Sequence, residues 1–321
     1  MVHIGVDLGG TKVTAALFNI NGEIVRSRTA LLEGREGEAV AMLMAELVTE
    51  LLKEYKISGR EKKSIGICVP GIAYSRTGRV WCPNIPGWEE FPLRDFMAKA
   101  IPGSLICTES DRTCYILGEV IAGCAKNCNN AVYMAVGTGI GLGILVDGVV
   151  LHGNSDIVGA IGWMALKPPY THLYDKCGCY ETHASGDGLA TQTRKFLMET
   201  PRYNGELREI EPDKITSYHL FRAYEKGDEI AVRVMEQAIE MWGMAAANVV
   251  SLFNPQIVVF GGGVFGPATR FIERIYREAC KWAQPISIKE AKFLPSSLPG
   301  LAGLYGAGAI AINISKKRGK K

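Results

Sequence analysis

One short design occurs twice in this chain: an apolar run, a glycine-rich turn, and a second apolar run. Residues 3–8 lead into Gly9-Gly10-Thr11-Lys12, and residues 13–18 resume the apolar pattern. Residues 131–136 lead into Gly137-Thr138-Gly139-Ile140-Gly141, with a glycine-rich stretch over 137–143, and residues 144–150 resume it. Apolar runs of this length bounded by glycines predict strands joined by turns. Between and after them come helical periodicities. Residues 38–55 place Met42, Leu43, Leu47, Leu51 and Leu52 on one face, and residues 230–252 do the same with Ile230, Val234, Ile239, Trp242, Ala246 and Val249. Strands alternating with helices restrict the fold to the α/β layer class, and the duplication predicts two related domains.

Further elements follow the same logic. Residues 64–69 predict a buried strand closed by Pro70-Gly71, and residues 105–108 another, followed by a helix to about residue 125. Residues 19–22 predict a hairpin turn and residues 166–182 an irregular insertion rich in Pro, Tyr and Cys. Residues 257–260 predict a strand ending in Gly261-Gly262-Gly263, and residues 301–314 a helix of small residues returning to the first domain. The expected division is a first α/β domain over 1–115, completed by the C-terminal helix at about 302–321, and a second over 116–301.

Composition narrows the function classes. The 321 residues suit two domains, and 47% hydrophobic residues exclude disorder as the dominant state. No apolar run reaches the ~20 residues a membrane span needs, and the first residues lack a basic, cleavable leader. The expectation is a cytoplasmic protein whose nine cysteines are reduced thiols. The net charge of +3 includes five basic residues from Lys316 to Lys321, so the remainder carries 3 − 5 = −2. A near-neutral body is not a nucleic-acid surface; the tail could touch RNA or an acidic membrane, which would make a nucleic-acid regulator, but it reads first as a solvated terminus.

Three glycine turns each follow a buried strand: Asp7-Leu8-Gly9-Gly10-Thr11-Lys12, Gly137-Thr138-Gly139, and Gly261-Gly262-Gly263. Glycine lets backbone N–H groups approach an anion, and Thr11 and Thr138 add hydroxyl donors. Asp7, at a strand end, can hold Mg²⁺ through water. A single such turn usually only redirects the chain; three in two similar halves point to a polyphosphate. Neither the Walker spacing nor a Gly-x-Gly-x-x-Gly turn entering a helix is present.

Together with Val69-Pro70-Gly71 and Pro83-Asn84-Ile85-Pro86-Gly87-Trp88, these motifs resemble the ROK family of sugar kinases and repressors, in the family's order from Ile4 to about Ala309. The resemblance implies two facing actin-like (ribonuclease H-like) ATPase domains with an interdomain cleft. It also implies ATP with Mg²⁺ as cofactors, a sugar or cyclitol acceptor, and a homodimer that engages neither nucleic acid nor membrane. Family repressors carry a DNA-reading segment ahead of the first glycine motif, which here starts at residue 7, so the kinase is the expected activity.

The family's general base matches Asp111 in Ser110-Asp111. Its alternative role is to cap the helix that follows. Phosphate contacts fall to Gly9, Gly10, Thr11, Lys12, Gly137, Thr138 and Gly139, and adenosine contacts to Gly262 and Gly263. The family's sugar ligands match Gly71, Asn84, Asp111 and Glu181. Three positions depart: Ser110 replaces an Asn, and in Gly159-Ala160-Ile161-Gly162-Trp163 a Glu is Ala160 and a His is Trp163. A site without its carboxylate cannot select for the same hydroxyls. That His belongs to the family's structural zinc, whose cysteine loop is here cut to Cys177-Gly178-Cys179. Two cysteines fall short of the four ligands zinc prefers, and His172, Asp175 or His183 could complete a site. The expectation is a zinc-free loop packed on Trp163, with the other seven cysteines mostly small core residues. A second reading keeps the fold as a catalytically weak sugar sensor.

Overall fold

A computed structural model describes residues 1–57 and 61–318. It divides into two compact units. The first comprises Met1–Asn127, Val150–Val158 and Ser297–Lys321, and the second Cys128–Val149 and Gly159–Ser296.

The first unit is built on a five-stranded sheet. Its elements are β1 (Val2–Leu8), β2 (Lys12–Phe18), β3 (Ile24–Leu31), α1 (Glu38–Glu54), β4 (Lys63–Val69), β5 (Ile72–Ala73), β6 (Val80–Trp81), α2 (Leu93–Ala100), β7 (Ser104–Ser110) and α3 (Asp111–Ala122). The strand order is β3-β2-β1-β4-β7. β1 and β2 are antiparallel, while β1, β4 and β7 run parallel.

Side chains alternate across a strand, and here the alternation sorts large from small. Ile4, Val6 and Leu8, with Ile65, Ile67 and Val69 of β4, join α1 in one apolar core. Each such side chain, fully buried, contributes about 1.5–3 kcal/mol. The alternate positions, Gly5, Asp7, Gly66 and Cys68, meet the C-terminal helix (Ala302–Arg318), which packs on β1, β4 and α3. That helix is rich in small residues because both neighbours press close. A Cβ on Gly66 would lie 2.1 Å from the Ala307 carbonyl oxygen, and one on Gly118 of α3 2.2 Å from that of Ala302. The basic tail begins within this helix at Lys316; Gly319, Lys320 and Lys321 lie outside the described residues.

The second unit repeats the plan with β8 (Ala131–Val136), β9 (Ile140–Val146), β10 (Val149–Val150), α4 (Cys179–Ala184), α5 (Gly186–Glu199), α6 (Ser217–Glu225), α7 (Glu229–Phe253), β11 (Ile257–Gly261), α8 (Ile272–Ala279), α9 (Ser287–Glu290) and β12 (Lys292–Pro295); the C-terminal helix is then α10. The order is β10-β9-β8-β11-β12, with β8 and β9 antiparallel and β8, β11 and β12 parallel. α7 is capped by Asp228, whose carboxylate accepts from the Ala231 amide at 2.9 Å, and it stops at Asn254 in the left-handed region (φ 44°). Its buried Trp242 donates through Nε1 to the Ala184 carbonyl at 3.0 Å, tying α7 to α4.

Several sequence expectations shift. The second glycine turn is shorter than 137–143. Pairing resumes at Ile140, with Gly141 opposite Ala135 and Gly143 opposite Tyr133, because ladder hydrogen bonds need only backbone. The insertion contains a 3₁₀ turn (His172–Tyr174) and the start of α4. The first unit extends to Asn127, taking in all of α3, which packs on α10, and it also takes in the returning segment Val150–Val158. Among the described residues no helix is long and apolar enough to cross a membrane.

Candidate functional site

In the first unit the turn after β1 is open. The Gly9 amide donates to the Lys12 carbonyl at 2.9 Å, and the Leu32 amide to Thr11 at 2.8 Å. Gly10, Thr11 and Lys12 are exposed, with nothing within 4 Å of where a Gly10 Cβ would stand. Asp7 points to the α10 face, against Gly303 in that helix's first turn, where a Cβ would meet its Oδ1 at 2.7 Å. Burial pushes its carboxyl up, while a hydrogen bond from Cys68 and the charge of Lys12 pull it down.

Asp111 stands where β7 ends and α3 begins. The N-cap is Ser110, so Asp111 is the first helical residue rather than the cap. Its Oδ1 accepts from the Arg112 amide at 2.7 Å. Burial raises its pKa to about 6; the Arg112 charge and amide and a hydrogen bond with Tyr115 oppose this, while the charge of Asp7 adds to it. Ser110 is buried, and its hydroxyl donates to Thr113 at 3.2 Å.

Of the other expected acceptor residues in this unit, Gly71 is where the chain passes over Trp81, whose carbonyl oxygen would be 2.1 Å from a Cβ. Asn84 is exposed on a turn that the buried Trp88 anchors by donating to the Gly37 carbonyl at 2.8 Å.

Two contacts beside Asp111 were not anticipated from sequence. Glu109, on β7, takes His152 Nε2 at 3.0 and 3.2 Å on its two oxygens. Asp156 accepts from the Ser75 amide at 3.0 Å and hydroxyl at 3.2 Å, and its carbonyl accepts from Arg112 at 3.4 Å. Both fasten the segment Val150–Val158 to the residues flanking Asp111. Partners 43 and 81 residues apart leave no trace in local spacing.

The second unit gathers three segments. Gly137-Thr138-Gly139 turns tightly, the Gly137 amide donating to Gly139 at 2.9 Å. The Gly137 carbonyl accepts from the Gly186 amide at 2.7 Å, which brings the N-terminus of α5 onto the turn. Ser185 caps that helix, accepting from Gly188 at 2.9 Å. Gly262 sits at φ 89° with Val136 packed on it, where a Cβ would lie 2.4 Å from the carbonyl oxygen, so only glycine fits. Gly263 stands beside Gly137, and Thr138, Gly262 and Gly263 are exposed. Exposed residues next to a helix N-terminus are an arrangement that can accept an anion. The contribution of α5 was not foreseen, although its cap signal Ser185-Gly186 is visible in the sequence.

Glu181 reaches this cluster: its Oε2 accepts from the Ile140 amide at 2.6 Å. Ala160 precedes the 3₁₀ turn Ile161–Trp163. Trp163 is 57% exposed, so the shortened loop does not cover its ring. The loop backbone approaches it, with Gly178 against the Trp163 Cα. Within the loop, Cys177 Sγ lies 3.4 Å from the Thr182 hydroxyl, Cys179 donates to Lys167 at 3.8 Å, and the Tyr174 hydroxyl lies 3.1 Å from His183 Nε2. Burial drives His183 down to about 4, which keeps it neutral. Among the described residues no three His, Cys, Asp or Glu side chains are grouped to hold a metal. Of the remaining cysteines, Cys68, Cys82 and Cys114 are buried, but Cys280, expected as core, is exposed at the end of α8.

Comparison with known proteins agrees with this architecture. A glucokinase of Thermotoga maritima is 31% identical over 316 residues, 96% of each chain. The crystal structure of a ROK hexokinase from Thermus thermophilus superposes with a TM-score of 0.81 at 29% identity, covering 99% of this chain and 100% of that one. A ROK family glucokinase from Streptomyces griseus, solved with glucose and AMPPNP, gives 0.77 at 26% identity, covering 98% and 100%. These neighbours share the actin-like ATPase fold seen in both units. Residues 3–314 match the ROK family profile, and the chain belongs to the ROK family.

Proposed function

We propose that this protein is an ATP-dependent carbohydrate kinase, transferring the γ-phosphate to a hydroxyl of a hexose, a modified hexose or a cyclitol. The observation that carries the reading is Asp111. It is a carboxylate at the start of α3, its Oδ1 accepting from the Arg112 amide at 2.7 Å, and burial raises it to about 6. A base whose pKa lies just below neutrality is mostly ionised yet still takes up a proton well.

The step is a single displacement. The acceptor oxygen attacks the γ-phosphorus, its proton passes to Asp111, and the β–γ bridging oxygen leaves with ADP. Gly9, Gly10, Thr11, Lys12, Gly137, Thr138 and Gly139 offer amide and side-chain donors to the phosphates. Gly262 and Gly263 offer a flat glycine surface to the adenosine. The half-buried carboxylate of Asp7, with Lys12 its one cationic influence, suits a hydrated Mg²⁺, which when bound offsets phosphate charge.

Gly71, Asn84, Asp111 and Glu181 are the residues for the acceptor, with Ser110, Ala160 and Trp163 setting its character. A methyl group at Ala160 and an open indole at Trp163 favour an acceptor with a bulkier or less hydroxylated face, such as an N-acetylated hexose or a cyclitol. The test is an ADP-release screen of hexoses, acetylated hexosamines and cyclitols, with Asp111→Asn as control. No ADP release with any acceptor would leave the sugar-sensor reading, which the loss of the family's Glu and His at Ala160 and Trp163 also fits.

A further inference from the structure

Glu181 is held by more than an acceptor ligand needs. Its Oε2 accepts from the Ile140 amide at 2.6 Å, at the exit of the Gly137–Gly139 turn. Its carbonyl accepts from the Ser185 amide at 3.2 Å, and the next residue, Gly186, donates to the Gly137 carbonyl at 2.7 Å, at the entrance of the same turn. One residue is thus tied to both ends of the turn, by its side chain and through its main chain. The carboxylate is also wedged between two glycines. A Cβ on Gly139 or on Gly162 would lie 2.8 Å from Oε2. Gly162 belongs to the segment that carries Ala160 and Trp163. The other oxygen, Oε1, has no partner among the described residues.

We propose that Glu181 is a positioning residue for the phosphate turn, holding it through Oε2 while Oε1 faces the acceptor, so that acceptor and nucleotide are coupled through one carboxylate. The proposal rests on the kinase reading and adds a second task to a residue whose family match is to the acceptor alone. The bond to Ile140 is charge-assisted and short, the kind that fixes a backbone in place. With a methyl group at Ala160, residues 159–163 carry no carboxylate of their own, and Glu181 is the carboxylate wedged against Gly162.

The test separates the two oxygens. A non-hydrolysable ATP analogue with Mg²⁺ is titrated into full-length protein in the absence of any acceptor, and acceptor KM is measured separately. Glu181→Gln keeps a carbonyl oxygen for the Ile140 amide. The analogue should bind within about twofold of wild type while acceptor KM rises. Glu181→Ala loses the bond, and analogue affinity should fall about tenfold, the scale of one hydrogen bond to a charged group. Gly162→Ala retains the carboxylate but crowds it away from Ile140, and should weaken the analogue to a similar degree; it carries the test should Glu181→Ala not fold. Wild-type analogue affinity in Glu181→Ala or in Gly162→Ala, or an equal loss in the Gln and Ala variants, overturns the coupling. Failure of the wild-type protein to bind the analogue at all would instead overturn the kinase reading beneath it.

Discussion

His152 Nε2 bridges both oxygens of Glu109, at 3.0 and 3.2 Å, two residues ahead of Asp111. The imidazole also bonds the Val150 carbonyl, and the Glu109 bond and charge, with Asp156 nearby, hold its pKa above the ordinary value against the opposing effect of burial. Both ring nitrogens therefore face acceptors, which favours the doubly protonated ring. The His152–Glu109 contact, an ion pair when His152 is protonated, fastens the segment Val150–Val158 beside the proposed base together with the hydrogen bonds of Asp156.

His152→Ala should loosen that segment and displace Asp111. A misplacement of this kind costs up to about a hundredfold in rate, and kcat should fall while KM for the nucleotide stays nearly constant. The pair also has a defined pH sense. A histidine raised on folding stabilises fully below its unfolded value of 6.5, and that contribution is lost as pH rises through its folded value. Amide exchange in residues 150–158 should quicken at alkaline pH in the wild type and be fast at every pH in His152→Ala. Unchanged exchange in the variant would remove the fastening role.

For Asp111 the sense is opposite in function and instructive in stability. The ionised form is the base, so kcat/KM should rise through an acid limb near pH 6. Asp111→Asn should lose about 10²–10⁴-fold in kcat, the usual contribution of general base catalysis. The folded pKa lies above the unfolded one, so the folded state binds the proton more tightly, and stability falls as pH rises from 3.8 toward 6. The Asn variant should therefore melt higher than wild type above pH 6 and match it below pH 4. An equal or lower Tm at pH 8 would contradict the burial cost assigned to this carboxylate.

Gly66→Ala tests the tight seam between β4 and α10. Its Cβ would stand 2.1 Å from the Ala307 carbonyl oxygen, so the helix must shift. Overpacking of this kind costs about 1–3 kcal/mol, read as a lower denaturant midpoint. Gly10→Ala, in open space, should leave stability within about 0.5 kcal/mol.

Acceptor choice is predicted to reside in Ala160 and Trp163. Ala160→Glu combined with Trp163→His should raise kcat/KM for unmodified hexoses relative to the best acetylated or cyclitol acceptor by at least about tenfold. No change in that ratio would place acceptor selection elsewhere.

Much of the scaffold was legible because it rests on local pattern. The strands at β1, β4, β8 and β11 are short apolar runs ended by glycine or proline, and α7 shows a long helical periodicity. β3 escaped notice. Its Arg26, Ser27, Arg28 and Thr29 are exposed, and Arg26 and Arg28 pair with Glu50 and Glu54 of α1, so no apolar alternation marks it. The start of β9 was hidden because Gly141 and Gly143 imitate a loop, while the ladder to β8 requires nothing of their side chains. The proposed site residues come from motif order. Their mutual support does not, since Glu181–Ile140, His152–Glu109 and Asp156–Ser75 join residues far apart in the chain, and only the folded topology brings them together.

The placement of α10 bears on how the protein is made. The sheet formed by residues near the start of the chain leaves Gly5, Gly66 and Cys68 uncovered until residues 302–318 arrive to lie on them. Every residue of the second unit is synthesised before that helix. Domains mostly fold as units, in order, as the chain emerges from the ribosome; here the order is inverted. The second unit can complete its core during translation, while the first must wait with one face of its sheet bare. Chaperone dependence and aggregation of nascent chains should therefore trace to the earliest residues made, and truncations that remove α10 should damage the amino-terminal half rather than the half to which they are adjacent in sequence.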